Sequence, residues 1–272
     1  MNYKNLIDMH IHTDNSPDGA HSTMLMAQSA QKAGIRVAAI TDHCECNEYY
    51  SRQFNLSAKQ AVFEAYKAKA AFAGEMVVLS GIELGQPLSD IDAAADVLKN
   101  KLDFVLASLH TFSDDAHDFY FLDYNLEENE PYKLFSHYLE EVNRIVDWGG
   151  FDSLAHLTYP LRYIVGNGRI DFDLLRYFPE ISEILKKLVE NNKSLEINTS
   201  GLRQVYGKLL PDIEIIKLFK SLGGENITIG SDAHRAGDVG KNIIDGYAAA
   251  VEAGFKYITI YQNRQPIHIP IE

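Results

Sequence analysis

A TIM-like α/β barrel is the fold this chain predicts, on three observations. Short apolar runs of β type alternate with longer helical patterns along the sequence. The 272 residues suit one barrel of seven or eight βα units better than an open sheet. Residues of metal-ligand type close successive apolar runs, and barrel enzymes carry their active sites at the C-terminal ends of strands and on the loops after them.

Each element follows from local pattern. A first strand is expected at 6–10 and a first helix at 22–34, with Ser22 as N-cap and Gly34 as the stop. A second strand at 37–40 precedes a polar loop and a helix from 57 to about 74. A third strand at 77–82 leads to a helix at 89–100, and a fourth lies at 104–108. A long loop, 111–130, precedes a helix at 131–148, where Pro131 suits the first helical position. A fifth strand is read at 153–155. Residues 157–178 read as loop, and 179–191 as helix. The sixth strand, 195–198, precedes a helix at 211–222. The seventh, 227–230, precedes a helix at 240–254. Residues 257–261 read as an eighth strand. No linker or composition shift marks a second domain.

Composition narrows the function. Apolar residues make up 46% and charged residues 23%, as expected of a soluble globular chain. The net charge of −13 argues against nucleic acid or an anionic membrane as the main partner. An anionic substrate would then need a local cluster of cations. The two cysteines, Cys44 and Cys46, are too close in sequence for good disulfide geometry, which points to a reducing cytoplasm. The first residues lack a signal-peptide layout, and no long apolar run suggests a membrane span. Oligomeric state has no signature in the sequence.

The chemistry is concentrated at strand ends. His10 and His12 lie two apart on a strand and so share a face, with Asp8 close behind. Asp42 and His43, Glu83, His110, His156, Glu196 and Asn198, then Asp232 and His234 follow at successive strand ends. Burying so many imidazoles and carboxylates without partners would be costly, and metal ions satisfy them most simply. The donor mix suits Zn, Mn or Fe. A carboxylate such as Glu83 can bridge two ions, and two ions roughly 3.5–4 Å apart can clamp a displacement at phosphorus.

These motifs resemble those of the polymerase-and-histidinol-phosphatase (PHP) superfamily, from Asp8 to about Gly240. The stretches 198–203 and 230–240 look like its histidinol-phosphate phosphatase branch. The resemblance implies a distorted (β/α)7 barrel with the active site at the C-terminal ends of its strands, a single barrel domain over 1–272, and three divalent ions. By the same resemblance, His10, His12, Glu83 and Asp232 hold the first ion. Glu83 bridges to a second, completed by His110 and His156. Asp18, His43 and His234 hold the third, with His21 an alternative to Asp18. Three divalent ions would be balanced by Asp18, Glu83, Asp232, a hydroxide and a phosphate dianion.

The implied reaction is hydrolysis of L-histidinol phosphate to L-histidinol and phosphate, a step of histidine biosynthesis, by attack of a metal-bridging hydroxide. Asp42 is expected either to shuttle a proton or to orient His43. Arg203, Arg162 and Arg235 are candidate guanidinium forks for the phosphate. Glu45, Glu48, Asp115 and Asp118 are candidates for the substrate ammonium, and the acidic, aromatic loop 112–121 for a specificity wall. Cys44 and Cys46 form at best a weak zinc motif, and His137 and His268 read as structural or exposed. Another small phosphomonoester, such as a nucleotide, is the alternative substrate. A non-catalytic barrel would have lost ligands, yet none of the expected set is missing. An amidohydrolase commonly uses a carbamylated lysine, and no lysine lies at the expected strand ends.

Overall fold

The apolar runs become strands and the amphipathic stretches become the helices between them. In the computed structural model, which describes residues 3–112, 119, 130–167 and 170–272, the order is β1 (Leu6–Ile11), α1 (Thr23–Lys32), β2 (Ile35–Ile40), β3 (His43–Glu45), α2 (Phe54–Ala71), β4 (Val77–Gly85), α3 (Ile91–Leu98) and β5 (Phe104–Ser108). Then come α4 (Glu130–Trp148), β6 (Ser153–Leu154), α5 (Phe178–Glu190), β7 (Ser194–Asn198), α6 (Ile213–Ser221), β8 (Ile227–Gly230), α7 (Ile243–Glu252), β9 (Tyr257–Gln262) and β10 (Gln265–Pro270).

Seven parallel strands, in the order β1-β2-β4-β5-β6-β7-β8, form a nearly closed barrel with flanking helices, a distorted TIM-like (β/α)7 fold. Residues just past β8 close the seam. Ile11 bridges Ala233, the His12 N–H donates to the Ala233 carbonyl at 2.9 Å, and the Asp232 N–H donates to the His10 carbonyl at 2.8 Å. Asp8 completes the seam: its carboxylate accepts from the N–H of Ser231 at 2.8 Å and of Gly240 at 3.0 Å. Asp8 therefore acts in the closure, behind the histidines.

Several boundaries differ from expectation, each for a physical reason. The second strand ends at Ile40 as expected but starts at Ile35, and the chain does not leave the sheet there. The pairing breaks at Thr41-Asp42 and resumes as β3, which pairs with β4 in the same register (Ile40 opposite Ser80, His43 opposite Glu83). The third expected strand accordingly runs on to Gly85. Helix α2 starts at Phe54 rather than 57, with Gln53 as N-cap in the left-handed region (φ 61°). Helix α3 starts at Ile91 because the Asp90 side chain caps it, accepting from the Ala93 N–H at 2.9 Å. Ser22 precedes α1 but makes no side-chain cap bond. The stretch 157–178 is not all loop, since it holds a π-helical turn (Arg162–Asn167) and a 3-10 turn (Leu174–Tyr177). Most of the expected loop 111–130, with Asp115 and Asp118, lies outside the described residues.

Residues 257–261 do form a strand, but it does not join the ring. β9 pairs antiparallel with β10 in a separate hairpin. That hairpin packs at the N-terminal ends of the barrel strands. Thr259 Oγ1 accepts from the Ile227 N–H, the Tyr261 hydroxyl meets Ser194 Oγ at 2.8 Å, and the Arg264 guanidinium pairs with Asp152. The C-terminal mouth is left to the site.

Candidate metal centre

Strand periodicity delivers the side chains to one place. His10 and His12 share a face of β1 and its extension. His43 on β3 lies opposite Glu83 on β4. His110 and His156 follow β5 and β6, and Asp232 and His234 follow β8. Two of these positions carry unusual backbone: His156 and Asp232 have φ of 26° and 54°. Left-handed conformations in residues with a Cβ cost about 1–3 kcal/mol and persist where the surroundings enforce them. Gly230 has a local reason too, because a Cβ there would lie 2.3 Å from the His10 Cβ and 2.4 Å from Glu196 Oε1.

Glu83 is the hub. Its Oε2 lies 3.3 Å from His10 Nε2, 3.4 Å from His12 Nε2 and 3.0 Å from His43 Nδ1. Its Oε1 lies 2.9 Å from His156 Nε2 and 3.3 Å from His110 Nε2. Asp232 Oδ1 is 3.4 Å from His12 Nε2 and 3.8 Å from His10 Nε2. To one side, His43 Nε2 and His234 Nε2 are 3.5 Å apart, with Asp18 3.7 Å from the former and 3.1 Å from the latter. His21 is turned to other work, accepting from the Ala236 N–H. Three groupings thus overlap, with Glu83, His12 and His43 each belonging to two of them.

The backs of the rings show what the fronts are for. His10 Nδ1 is 2.7 Å from Glu196 Oε1, so Nδ1 carries the proton. Ser16 donates its proton to Asp42 at 2.6 Å and therefore accepts from His12 Nδ1 at 3.2 Å. His110 Nδ1 meets Glu45 Oε1 at 3.1 Å, and His234 Nδ1 meets the Asp232 carbonyl at 3.1 Å. In each ring Nδ1 is engaged from behind and Nε2 is turned toward the cluster, the arrangement of metal-ligating histidines. The 2.9 Å approach of His10 Nε2 to His12 Nε2 and the buried, unbonded Glu83 Oε2 fit the same reading. The donor set fits divalent ions.

A cavity of about 670 Å³ opens over the cluster, within the range of small-ligand sites. Asp18, His43, Glu83, His110, His156, Asp232 and His234 line it, with His10 and His12 fully buried beneath. Arg162, Tyr159, Tyr163, Phe54, Glu45, Glu48 and Arg52 form its walls. Arg162 lies over the Tyr159 ring at 5.0 Å, and its Nε is held by Gln204 at 2.7 Å. The other two expected arginines are not in the cavity lining. Arg203 turns to the backbone, donating to the Ser231 carbonyl at 2.6 Å, and Arg235 is exposed. Asp42 is absent from the lining as well. It is buried, and its oxygens are taken by the Thr13 N–H, the Thr13 hydroxyl and Ser16. Cys44 and Cys46 are buried free thiols within the apolar core. His137 pairs with Glu141 on α4, and His268 with Asn226.

Sequence reasoning left out Ser16, Gln86 and the aromatic wall. One signal was available for Glu45, beyond the rim role first considered for it: it lies two residues beyond His43, hence on the same strand face.

Comparison with known proteins agrees with the geometry. The model of the PHP domain matches residues 8–200, and the chain belongs to that family. It is 31% identical over 256 residues to a probable histidinol-phosphatase of Thermotoga maritima, covering 94% of this chain and 95% of that one. It is 27% identical to the histidinol-phosphatase of Lactococcus lactis, covering 94% of each. Among solved structures, it resembles histidinol phosphate phosphatase from Lactococcus lactis, in complex with zinc, L-histidinol and phosphate. The TM-score is 0.80 at 22% identity, over 97% of this chain and 99% of the other.

Proposed function

We propose that this protein is a metal-dependent histidinol-phosphatase, hydrolysing L-histidinol phosphate to L-histidinol and phosphate. The carrying observation is the convergence of six imidazoles on Glu83, Asp232 and Asp18 at the floor of a cavity. The histidinol-phosphatase relatives, aligned over nearly their whole length, supply the substrate.

Three divalent ions are proposed. His10, His12, Glu83 and Asp232 hold the first; Glu83, His110 and His156 the second; Asp18, His43 and His234 the third. Zinc, which the Lactococcus lactis enzyme carries, is the first ion to load, and manganese or iron suits the same donors. When bound, such ions neutralise phosphoryl oxygens and make water a nucleophile at neutral pH. The chain supplies the rest. Arg162, stacked on tyrosines at the wall, is the guanidinium fork for the phosphate. Arg203 clasps the Ser231 carbonyl and so steadies the loop that presents Asp232 and His234. Glu48 and the rings of Phe54, Tyr159 and Tyr163 receive the ammonium and imidazole of the substrate. Asp42 holds Thr13 and Ser16, and through Ser16 the His12 ring.

Residues 1–272 are proposed to work as a single barrel domain, in the cytoplasm and in histidine biosynthesis. The acidic surface turns away nucleic acid and anionic membranes. No described helix is long and apolar enough to cross a membrane.

Glu83→Gln tests the reading. The amide cannot replace a carboxylate shared between ions, and phosphate release from L-histidinol phosphate by the zinc-reconstituted variant is expected to fall about 1,000-fold. Turnover within a few-fold of wild type would overturn the metal-centred reading.

A further inference from the structure

Glu45 stands at the junction of two of the three ligand groups. It lies two residues beyond His43 on β3, so both side chains leave the same face. On β4 their partners are Glu83 and Gly85. Gly85 leaves the room that Glu45 fills, because a Cβ there would lie 1.9 Å from Glu45 Oε2. Gln86 follows in the left-handed region (φ 46°), where strain persists only if the surroundings enforce it. That conformation lets its amide do two jobs. Its Nε2 donates to Glu45 Oε2 at 2.7 Å, and its Oε1 accepts from the His110 N–H at 2.8 Å.

With Oε2 held by Gln86, Oε1 is left for the imidazoles. It lies 3.1 Å from His110 Nδ1 and 3.1 Å from His43 Nδ1. The His110 contact is an aligned hydrogen bond. The His43 nitrogen is within the same reach but makes no aligned hydrogen bond, either to Glu45 or to Glu83 Oε2 at 3.0 Å. A Glu83 carboxylate shared between ions has its oxygens engaged, and Glu45 then remains as the acceptor for His43 Nδ1–H. These engagements also occupy the Glu45 carboxylate, so it is not the acid that receives the substrate ammonium.

We infer that Glu45 is a positioning residue that fixes His43 and His110 together as Nδ1–H tautomers with Nε2 free to ligate, and so couples the second and third ion sites. The inference rests on the proposed three-ion centre. One carboxylate oxygen serves a ligand of each site, and its loss loosens both at once. Removing a carboxylate that orients a ligating histidine typically costs 10–100-fold in metal affinity.

The test is zinc content per chain for wild type, Glu45→Ala and Gly85→Ala, each equilibrated against a series of zinc buffers. Ring tautomers are read from long-range 1H–15N correlations of the zinc-loaded protein. Gly85→Ala displaces the Glu45 carboxylate without changing its charge. Circular dichroism checks that each variant is folded, and the near-isosteric Glu45→Gln replaces any that is not. In the variants, two of the three zinc equivalents are expected to weaken together, by about 10-fold or more, with mixed tautomers at His43 and His110. Three equivalents at wild-type affinity, or weakening of one equivalent alone, would overturn the role of Glu45. Fewer than three equivalents in wild type would instead overturn the three-ion reading beneath it.

Discussion

At Asp42 the directions of the hydrogen bonds decide the role. Three donors converge on it, the Thr13 N–H and hydroxyl and the Ser16 hydroxyl, at 2.6–2.8 Å. Burial raises its pKa, against the pull of those same bonds. An asparagine there would turn an NH2 toward a donor. Asp42→Asn is therefore expected to cost about 1–3 kcal/mol of stability by leaving a buried group unsatisfied. The pH dependence of kcat should keep its shape, as measured by urea unfolding and by a pH–rate profile. Loss of one limb of that profile would restore Asp42 as a proton shuttle. Much at this scale was legible in the sequence, because metal-binding residue types at strand ends announce themselves. What was not legible was direction. An arginine beside a ligand motif reads as a phosphate fork, yet Arg203 bonds to a carbonyl and Arg235 faces solvent.

At the scale of elements, the lesson comes from β3 and the C-terminal hairpin. Three residues in β conformation after a two-residue break carry too little pattern to read as a strand. They become one because β4 offers a free edge in register. Residues 257–261 had the pattern of a barrel strand, and only the barrel's closure between β1 and the Ala233 segment explains why they form a hairpin instead. Arg264, at the hairpin turn, pairs with the buried Asp152 and donates to the Gly150 carbonyl at 3.0 Å. Arg264→Ala would leave that carboxylate without its cation, and a loss of about 2–4 kcal/mol is expected in chemical denaturation. The kcat of the folded variant should stay at the wild-type value, since this contact lies at the end of the barrel away from the site. A drop in kcat with stability intact would show that the two ends are coupled.

For the whole molecule, the central fact is an acidic chain with a cluster made to hold cations. Without ions, burial pulls the His110 pKa down, but Glu45 and Glu83 outweigh it and hold the ring protonated up to about 10. His10 and His43 are likewise raised, as neighbouring carboxylates overcome burial. His12, buried beside His234 and His43, is lowered to about 3 and is neutral. Zinc needs neutral imidazoles, so loading at pH 7 must expel protons, and affinity must fall as pH falls. Titrating stripped protein with zinc in weak buffer is expected to release two to three protons per chain at pH 7. The release should be smaller above pH 10, where His110 has already lost its proton. No release at pH 7 would mean that the cluster is not filled through these rings. The barrel and the metal-binding residue types at its strand ends were within reach of the sequence, whereas the seam between β1 and the Ala233 segment was not. The substrate was legible only through the family resemblance, because Arg162, Tyr159 and Glu48, which line the cavity walls, meet only after folding. Phosphate release by the zinc-loaded enzyme from L-histidinol phosphate, beside a panel of mononucleotides and sugar phosphates, therefore tests the central claim most directly. A specificity constant at least ~100-fold higher for L-histidinol phosphate, about 2.7 kcal/mol of transition-state discrimination, is the predicted result. Equal or better turnover of a nucleotide would contradict it.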